Sequence, residues 1–342
     1  MKASDYLKWI GNGQAGAFLR LSSNLKGFYR ICFLAKAGKM GLLQALAASP
    51  LRLEEALDAL ALSPEKHAAS LKAFLHLGVT LGEIDPRRNR YALKGNLAKA
   101  MAKPEFDALL SLAEEASGLH APYIAAALSE EVEGESLRAL SDRHSEVIAR
   151  SSKIAEPVLK SVLDDLLPES GPCAFLEVGS GSGVYLLHAL SRNPELSATG
   201  VELVEELARN IRRKIMDAGQ AGRAEMLAGD MWTLDYQEQF DCITLFNNIY
   251  YFPESDHPKL LEKLYRWLKP GGRLAIATLC RDGKHSIDAI MHMWSVMTPG
   301  ASLLPEPGAF TALMSKSGYL AKTVTPSRLD SAMKVFVGQK PA

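Results

Sequence analysis

The 342 residues carry 39 Lys and Arg against 39 Asp and Glu, enough chain for two domains with separate cores, since single domains commonly run to roughly 100–200 residues. The balanced charge gives no reason to expect nucleic acid, an anionic membrane or a strongly acidic partner, and it favours a small uncharged or mixed-charge substrate. Cys32, Cys173, Cys242 and Cys280 form no CxxC pair and read as core thiols of a cytoplasmic protein.

The opening MKASDYLKWIGNGQ lacks the basic-then-apolar order of a signal peptide, and the early apolar run 27–48 is broken by Arg30, Lys36 and Lys39. From Arg30 to about Lys103, apolar residues recur at three- and four-residue spacing in LLQALA, LEEALDAL and HAASLKAFLHLG, which predicts a compact set of helices. VTLGEIDPRRNRYAL follows, two β-prone runs around a turn drawn at Asp85, Pro86, Arg87, Arg88 and Asn89. Helices followed by a hairpin suggest a winged helix over residues 1–103. The helix that would read a DNA groove, about Pro64 to Leu77, offers only Lys66 and Lys72 as cations. Arg87, Arg88 and Arg90 are better explained as a solvated turn, so a protein–protein role is favoured over DNA.

Residues 104–167 form helices almost throughout, with expected breaks at Gly118, Pro122, Gly134 and Pro157. They read as a connection and a possible substrate cap. From 168 to 342 the texture changes to alternating strand and helix: AFLEVG, ATGVEL, AEMLAGD, DCITLFNN and RLAIATL are separated by helical stretches. That alternation predicts an α/β domain, a Rossmann-like, doubly wound, mostly parallel sheet.

FLEVGSGSGVY sends a strand into Gly179, Gly181 and Gly183 and then directly into a helix. Glycines there let the backbone turn sharply and come close to a ligand. The dinucleotide fingerprint G-x-G-x-x-G needs glycine at 184, where Val184 stands; the spacing here is G-x-G-x-G, with Glu177 two residues before it. About twenty residues on, Glu202 ends the second strand where a carboxylate can accept both hydroxyls of an adenosine ribose. Asp230 suits an exocyclic adenine amine, and Met231 can pack on an adenine face or simply in the core.

Through E177-V-G-S-G-S-G183, Glu202, G229-D230-M231 and L268-K-P-G-G-R-L274, the chain resembles the class I S-adenosylmethionine-dependent methyltransferases. The resemblance implies S-adenosylmethionine as cofactor, with the glycine loop at its methionine end, Glu202 on the ribose, Asp230 and Met231 on the adenine, and Asn247 facing the sulfonium. The N-terminal half resembles the winged-helix dimerisation domain of plant-type and bacterial natural-product O-methyltransferases, which implies a homodimer.

Those O-methyltransferases carry a catalytic histidine just after the fourth strand. Here FNNIYYFPESDHPKLL offers Tyr250 or Tyr251 near that position, with His257 downstream. A tyrosine can orient an acceptor by hydrogen bonding, or the acceptor can need little deprotonation. His285 and His292 stand seven apart on an expected helix, a spacing that does not by itself make a metal site. Met291, Met293, Trp294, Met297 and Phe310 suggest a flexible apolar pocket lining. His120 and His144 are candidates in the helical connection, and Ser151 and Ser152 are candidates for the methionine carboxylate.

The leading expectation is methyl transfer to a small molecule, O-methylation of an aromatic or enolic metabolite first and C- or N-methylation second. A winged-helix DNA-binding regulator with a cofactor-sensing domain and a nicotinamide-dependent oxidoreductase are the competing classes.

Overall fold

The computed structural model describes residues 10–127, 147–148, 150–281, 286–326 and 332–342. Gly134, His144 and His285 lie outside the described residues. The chain divides into two compact units, one holding the described residues 10–127, 147–148 and 150–154, the other running from Ala155 to Ala342. Among the described residues no single helix is long and apolar enough to cross a membrane.

The first unit holds helices α1 (Gln14–Lys39), α2 (Leu42–Ala48), α3 (Leu53–Ala59) and α4 (Pro64–Leu81), the hairpin β1 (Ile84–Arg87) and β2 (Arg90–Leu93), then α5 (Asn96–Met101) and α6 (Asp107–Glu115). A π turn, Ala116–His120, carries α6 into α7 (Ala121–Ala126). Gly118 therefore does not end the helix, and Pro122 sits in the first turn of α7, where its missing N–H costs nothing. Phe33, Leu34, Leu42, Leu43, Leu75 and Ile84 form the centre of the core, each large side chain contributing roughly 1.5–3 kcal/mol of burial.

Within this core, Glu83 is fully buried, ion-paired with Arg30, and accepts the Ala98 N–H at 3.2 Å in the first turn of α5. The hairpin turn is tighter than the sequence suggests. Asp85, Pro86 and Arg87 lie in β1, and the turn consists of Arg88 and Asn89, both left-handed at φ 44° and 67°, as a two-residue type I′ loop requires. Arg87 pairs with Asp85, and Arg90 reaches Glu55 at 2.8 Å and the Pro50 carbonyl at 2.8 Å, tying β2 to α3.

The second unit contains α8 (Glu156–Leu166), β3 (Cys173–Val178), α9 (Val184–Arg192), β4 (Leu196–Glu202), α10 (Glu205–Asp217), β5 (Ala224–Ala228), β6 (Phe240–Phe246), α11 (His257–Trp267), β7 (Leu268–Leu279), α12 (Ser286–Met297), α13 (Pro307–Lys316), β8 (Leu320–Val324) and β9 (Met333–Gln339). The sheet order is β5-β4-β3-β6-β7-β9-β8. Strands β3 to β7 are parallel, whereas β9 is antiparallel to both β7 and β8. This antiparallel edge was not apparent from the sequence.

Alternation along β3 puts Cys173 and Phe175 into a core shared with α8, α9 and α10, and Leu176 and Val178 into a second core beneath α11 and α13. Both faces of the sheet are thus covered, which a parallel sheet requires. Cys173, Cys242 and Cys280 are buried, and all four cysteines are free thiols.

Candidate functional site

Strand order reverses between β3 and β6, because the chain leaves β3 for β4 on one side and later returns to pair β6 on the other. The carboxyl ends of the parallel strands at such a switch point are where open α/β sheets bind ligands. The glycine loop, Glu202, Asp230 and Asn247 all lie along this edge, whereas the run Leu268–Leu274 opens β7 at the opposite end of the sheet.

The glycine loop begins directly at the end of β3. Gly179, Gly181 and Gly183 have φ of +71°, +52° and +74°, values that a side chain makes costly. A Cβ on Gly179 would collide with Asn248 Nδ2, and one on Gly183 would meet Ile211 at 2.8 Å. At Gly181 a Cβ would meet nothing within 4 Å, so the surrounding protein leaves that backbone open. Gly183 N–H donates to the Ser180 carbonyl at 2.7 Å, and Lys214 Nζ on α10 donates to the Ser182 carbonyl at 2.8 Å.

Glu202, at the end of β4, holds this loop. Its Oε2 accepts the Gly181 N–H at 2.8 Å and its Oε1 accepts the Val204 N–H at 3.1 Å. A carboxylate offers about four acceptor positions, so two remain for a ligand. The next residue, Leu203, is exposed.

Glu177 lies one strand inward and is only 2 % exposed, with no hydrogen-bond partner for Oε2. Burial raises its pKa to about 8, against the opposing effects of Ser180 and the Leu186 N–H, and the Glu202 charge pushes it further the same way. Its register partner on β6 is Thr244, whose buried hydroxyl is also unpartnered.

After β6, Asn247 adopts φ 53° and its N–H donates to the Ala277 carbonyl at 2.7 Å. The following residue, Asn248, turns inward: Nδ2 donates to the Val178 carbonyl at 2.5 Å, the carboxamide presses on Gly179, and Oδ1 is buried without a partner. Sequence reasoning missed Asn248, since spacing cannot distinguish two adjacent asparagines.

Past β5, Asp230 is exposed, and its Oδ1 caps the short turn Met231–Thr233 by accepting the Trp232 N–H at 2.9 Å. Met231 is buried in the core with Leu176, Val178 and Val201, while neighbouring Trp232 is partly exposed.

Tyr250 and Tyr251 occupy the short turn Ile249–Tyr251, with ring centroids 4.7 Å apart. Tyr251 is 46 % exposed. Tyr250 meets Trp294 of α12 edge-on at 6.0 Å, and its carbonyl accepts the Ser302 N–H at 2.9 Å. Trp294 is buried and Met291 half-buried on the same helix. Phe310 packs instead against His257 and Phe336 in the core.

His257 opens α11 and is buried, with Nε2 3.1 Å from the Phe252 carbonyl. Burial lowers its pKa, outweighing the Phe252 and Ile249 carbonyls and the nearby Glu254 and Asp256 carboxylates, which all raise it. Burial chiefly, then Arg281, lowers the pKa of His292. Among the described residues no three His, Cys, Asp or Glu side chains converge as a metal would need.

His120 stands in the first unit at the end of the π turn, and burial lowers its pKa. Ser151, also in that unit, donates to Glu115 at 2.7 Å, with the Ile148 carbonyl at 3.0 Å as the alternative acceptor for its one hydroxyl proton.

Residues 175–272 match the family model of a methyltransferase domain. The chain is 29% identical over 125 residues to the L-tyrosine C(3)-methyltransferase of Streptomyces lavendulae, a stretch covering 36% of this chain and 33% of that one. It is 31% identical over 106 residues to the malonyl-[acyl-carrier protein] O-methyltransferase of Priestia megaterium, covering 31% and 36% of the two chains. The match thus spans about a third of each of these relatives.

Among solved structures, the mitomycin 7-O-methyltransferase MmcR superposes with a TM-score of 0.78 at 17% identity, covering 96% of this chain and 99% of that one. The S-adenosylhomocysteine (SAH)-bound form of CalO1, a methyltransferase of calicheamicin biosynthesis, gives 0.68 at 20% identity, with 96% and 99% covered. The fold is therefore that of the class I methyltransferases, a Rossmann-like sheet preceded by a mainly helical unit.

Proposed function

We propose that this protein is an S-adenosylmethionine-dependent methyltransferase acting on a small molecule, with O-methylation of an aromatic or enolic metabolite as the leading reaction. The observation that carries this reading is the pairing of Glu202 with the Gly181 N–H at the end of β3, which leaves an open glycine backbone beside a carboxylate that still has free acceptor positions. Glu202 would receive the ribose hydroxyls, Asp230 the adenine amine, and Gly179, Gly181 and Gly183 would border the methionine end. Glu177 Oε2 and Asn248 Oδ1 are buried without a hydrogen-bond partner, and an ammonium group would give both a donor once Glu177 yields its proton. Asn247 would face the sulfonium. Met231 would support the adenine from beneath.

When bound, the cofactor supplies an electrophilic methyl group on a sulfonium, which leaves by in-line displacement. The protein's share is alignment and, for a weakly acidic acceptor, proton removal. Tyr250, Tyr251 and Trp294 present rings and hydroxyls at the end of β6, next to the proposed sulfonium position. We assign Tyr251 and Tyr250 to orienting the acceptor and Trp294 and Met291 to walling it. His120 remains a substrate-binding candidate on sequence grounds. With tyrosines where the resembling O-methyltransferases carry histidine, acceptors that ionise readily fit best, and carbon or nitrogen acceptors remain the second reading.

The first unit is proposed to be a winged-helix dimerisation domain. The exposed Leu19, Leu21, Leu25, Phe28 and Tyr29 along α1 are more apolar surface than a monomeric helix ordinarily leaves to water. A cytoplasmic setting suits four free thiols.

Titration calorimetry with SAH and with NAD tests the assignment. Heat with SAH alone is expected; heat with NAD alone would overturn it in favour of an oxidoreductase.

A further inference from the structure

Helix α11 buries His257, Leu260, Leu261, Lys263, Leu264 and Trp267. Two ionisable groups thus lie within its apolar face. A lysine is almost never found there unless its ammonium is satisfied. Lys263 is 8 % exposed, and its Nζ donates to the Leu234 carbonyl at 2.5 Å and the Trp232 carbonyl at 3.2 Å while lying 5.0 Å from the Trp267 ring centroid. Both carbonyls belong to the turn that follows Asp230.

Apolar contacts also tie this turn down: Met231 is buried in the core that α11 covers, Leu234 packs against it, and the Trp232 ring meets Phe252 edge-on at 6.1 Å. Asp230 caps its own Trp232 N–H, Thr233 Oγ1 donates to the Asp230 carbonyl at 2.8 Å, and the Leu234 N–H donates to the Met231 carbonyl at 3.2 Å. These bonds shape the turn, but Lys263 fastens it to the helix. Six residues earlier, roughly 9 Å along the axis, His257 meets the Phe252 carbonyl at 3.1 Å. Phe252 closes the turn that carries Tyr250 and Tyr251, its N–H donating to the Ile249 carbonyl at 3.1 Å.

We propose that α11 is the gauge that sets the cofactor turn and the acceptor turn relative to each other, with Lys263 as a positioning residue for Asp230 and His257 as a positioning residue for Tyr250 and Tyr251. Neither side chain touches a reacting atom. Each acts by holding backbone carbonyls, Lys263 those of Trp232 and Leu234 and His257 that of Phe252. The proposal rests on the methyltransferase reading for its kinetic consequences, though not for the anchoring itself.

The test compares Lys263→Met, Lys263→Arg and His257→Phe by amide hydrogen exchange, SAH calorimetry and steady-state kinetics. Lys263→Met is expected to speed exchange at residues 232–234 and to weaken SAH about tenfold, because Asp230 is no longer held in place before the ligand arrives. KM for the cofactor should rise with little change in kcat, and Lys263→Arg should recover part of the loss. His257→Phe is expected to speed exchange at 251–252 and to change the acceptor KM and kcat while leaving SAH affinity as in the wild type.

Opposite splits are the signature, because simple destabilisation would move both sets together. Unchanged exchange at 232–234 in Lys263→Met, or faster exchange with wild-type SAH affinity, overturns the proposal for Lys263. Loss of SAH affinity in His257→Phe overturns the division of labour. Wild-type protein that binds no SAH defeats the methyltransferase reading instead, and the exchange arm then still decides whether α11 holds both turns.

Discussion

At the carboxyl ends of β3, β4 and β5 the candidate site is made of backbone, with left-handed glycines, open space over the Cα of Gly181 and two carboxylates that hold N–H groups. At the end of β6 and along α12 it is made of rings: Tyr250, Tyr251 and Trp294 in a tilted and edge-on cluster. Backbone geometry serves a ligand that does not change, whereas side chains can be exchanged to suit different acceptors without disturbing the fold. The first half accordingly looks general and the second particular.

The largest test of this contrast lies in the glycines. Gly179→Ala should lose SAH binding by roughly 100-fold or more, since its Cβ collides with the Asn248 carboxamide and displaces it. Stability should fall as well, by about 1–2 kcal/mol from left-handed strain alone. Gly181→Ala meets no protein atom within 4 Å, so the strain is its only folding cost, yet its methyl group projects from the open stretch of the loop. Thermal unfolding and calorimetry together should show a folded variant with weakened SAH binding. Wild-type affinity in Gly181→Ala would break the claim that this backbone cradles a ligand.

Next in size is Glu202→Ala. Charged hydrogen bonds are worth about 1.5–3 kcal/mol each, so SAH affinity should drop roughly 10- to 150-fold. Part of that loss comes from freeing the Gly181 N–H. An unchanged dissociation constant would remove Glu202 from the cofactor half.

Glu177 gives that half a pH signature. Its pKa rises from the ordinary 4.5 to about 8 on folding, so the folded state keeps a proton that the unfolded chain has released. Stability from this group therefore declines as pH rises from about 4.5 and levels off above about 8. Glu177→Gln should flatten that slope, making the variant the more stable protein at pH 8.5 in the absence of ligand. Parallel slopes for the two proteins would mean that Glu177 is already ionised.

The two halves also differ in how far the sequence disclosed them. Glycines at 179, 181 and 183 and the acid at 202 are separated by fixed distances along a strand–loop–helix–strand unit, so spacing alone locates them. Asn248 was hidden because whether it or Asn247 faces inward depends on a backbone turn at φ 53°, which tertiary contacts impose. Lys263 was hidden because lysines on helices usually face water; the carbonyls of Trp232 and Leu234 and the Trp267 ring make its burial tolerable. The alternation of apolar strands and amphipathic helices disclosed the parallel sheet, but nothing in the strand patterns announced that β9 would insert antiparallel between β7 and β8. The hairpin turn is narrower than its composition suggests, because Pro86, which reads as a loop residue, is tolerated in the two-stranded β1–β2 pair.

The smallest expected effect sharpens the acceptor half. Tyr251→Phe removes one hydroxyl from an exposed ring and keeps its 4.7 Å approach to Tyr250. A neutral hydrogen bond contributes about 0.5–1.5 kcal/mol, so kcat/KM for the acceptor should fall roughly 2- to 13-fold while SAH affinity stays at the wild-type value. A histidine-type base would be worth about 100- to 10,000-fold. The size of the loss therefore separates orientation from proton removal: a fall of several hundredfold, growing as pH drops, would make Tyr251 the base and the acceptor a weak acid. A fall of a few-fold, flat with pH, leaves the ring as a guide for an acceptor that arrives ready to react.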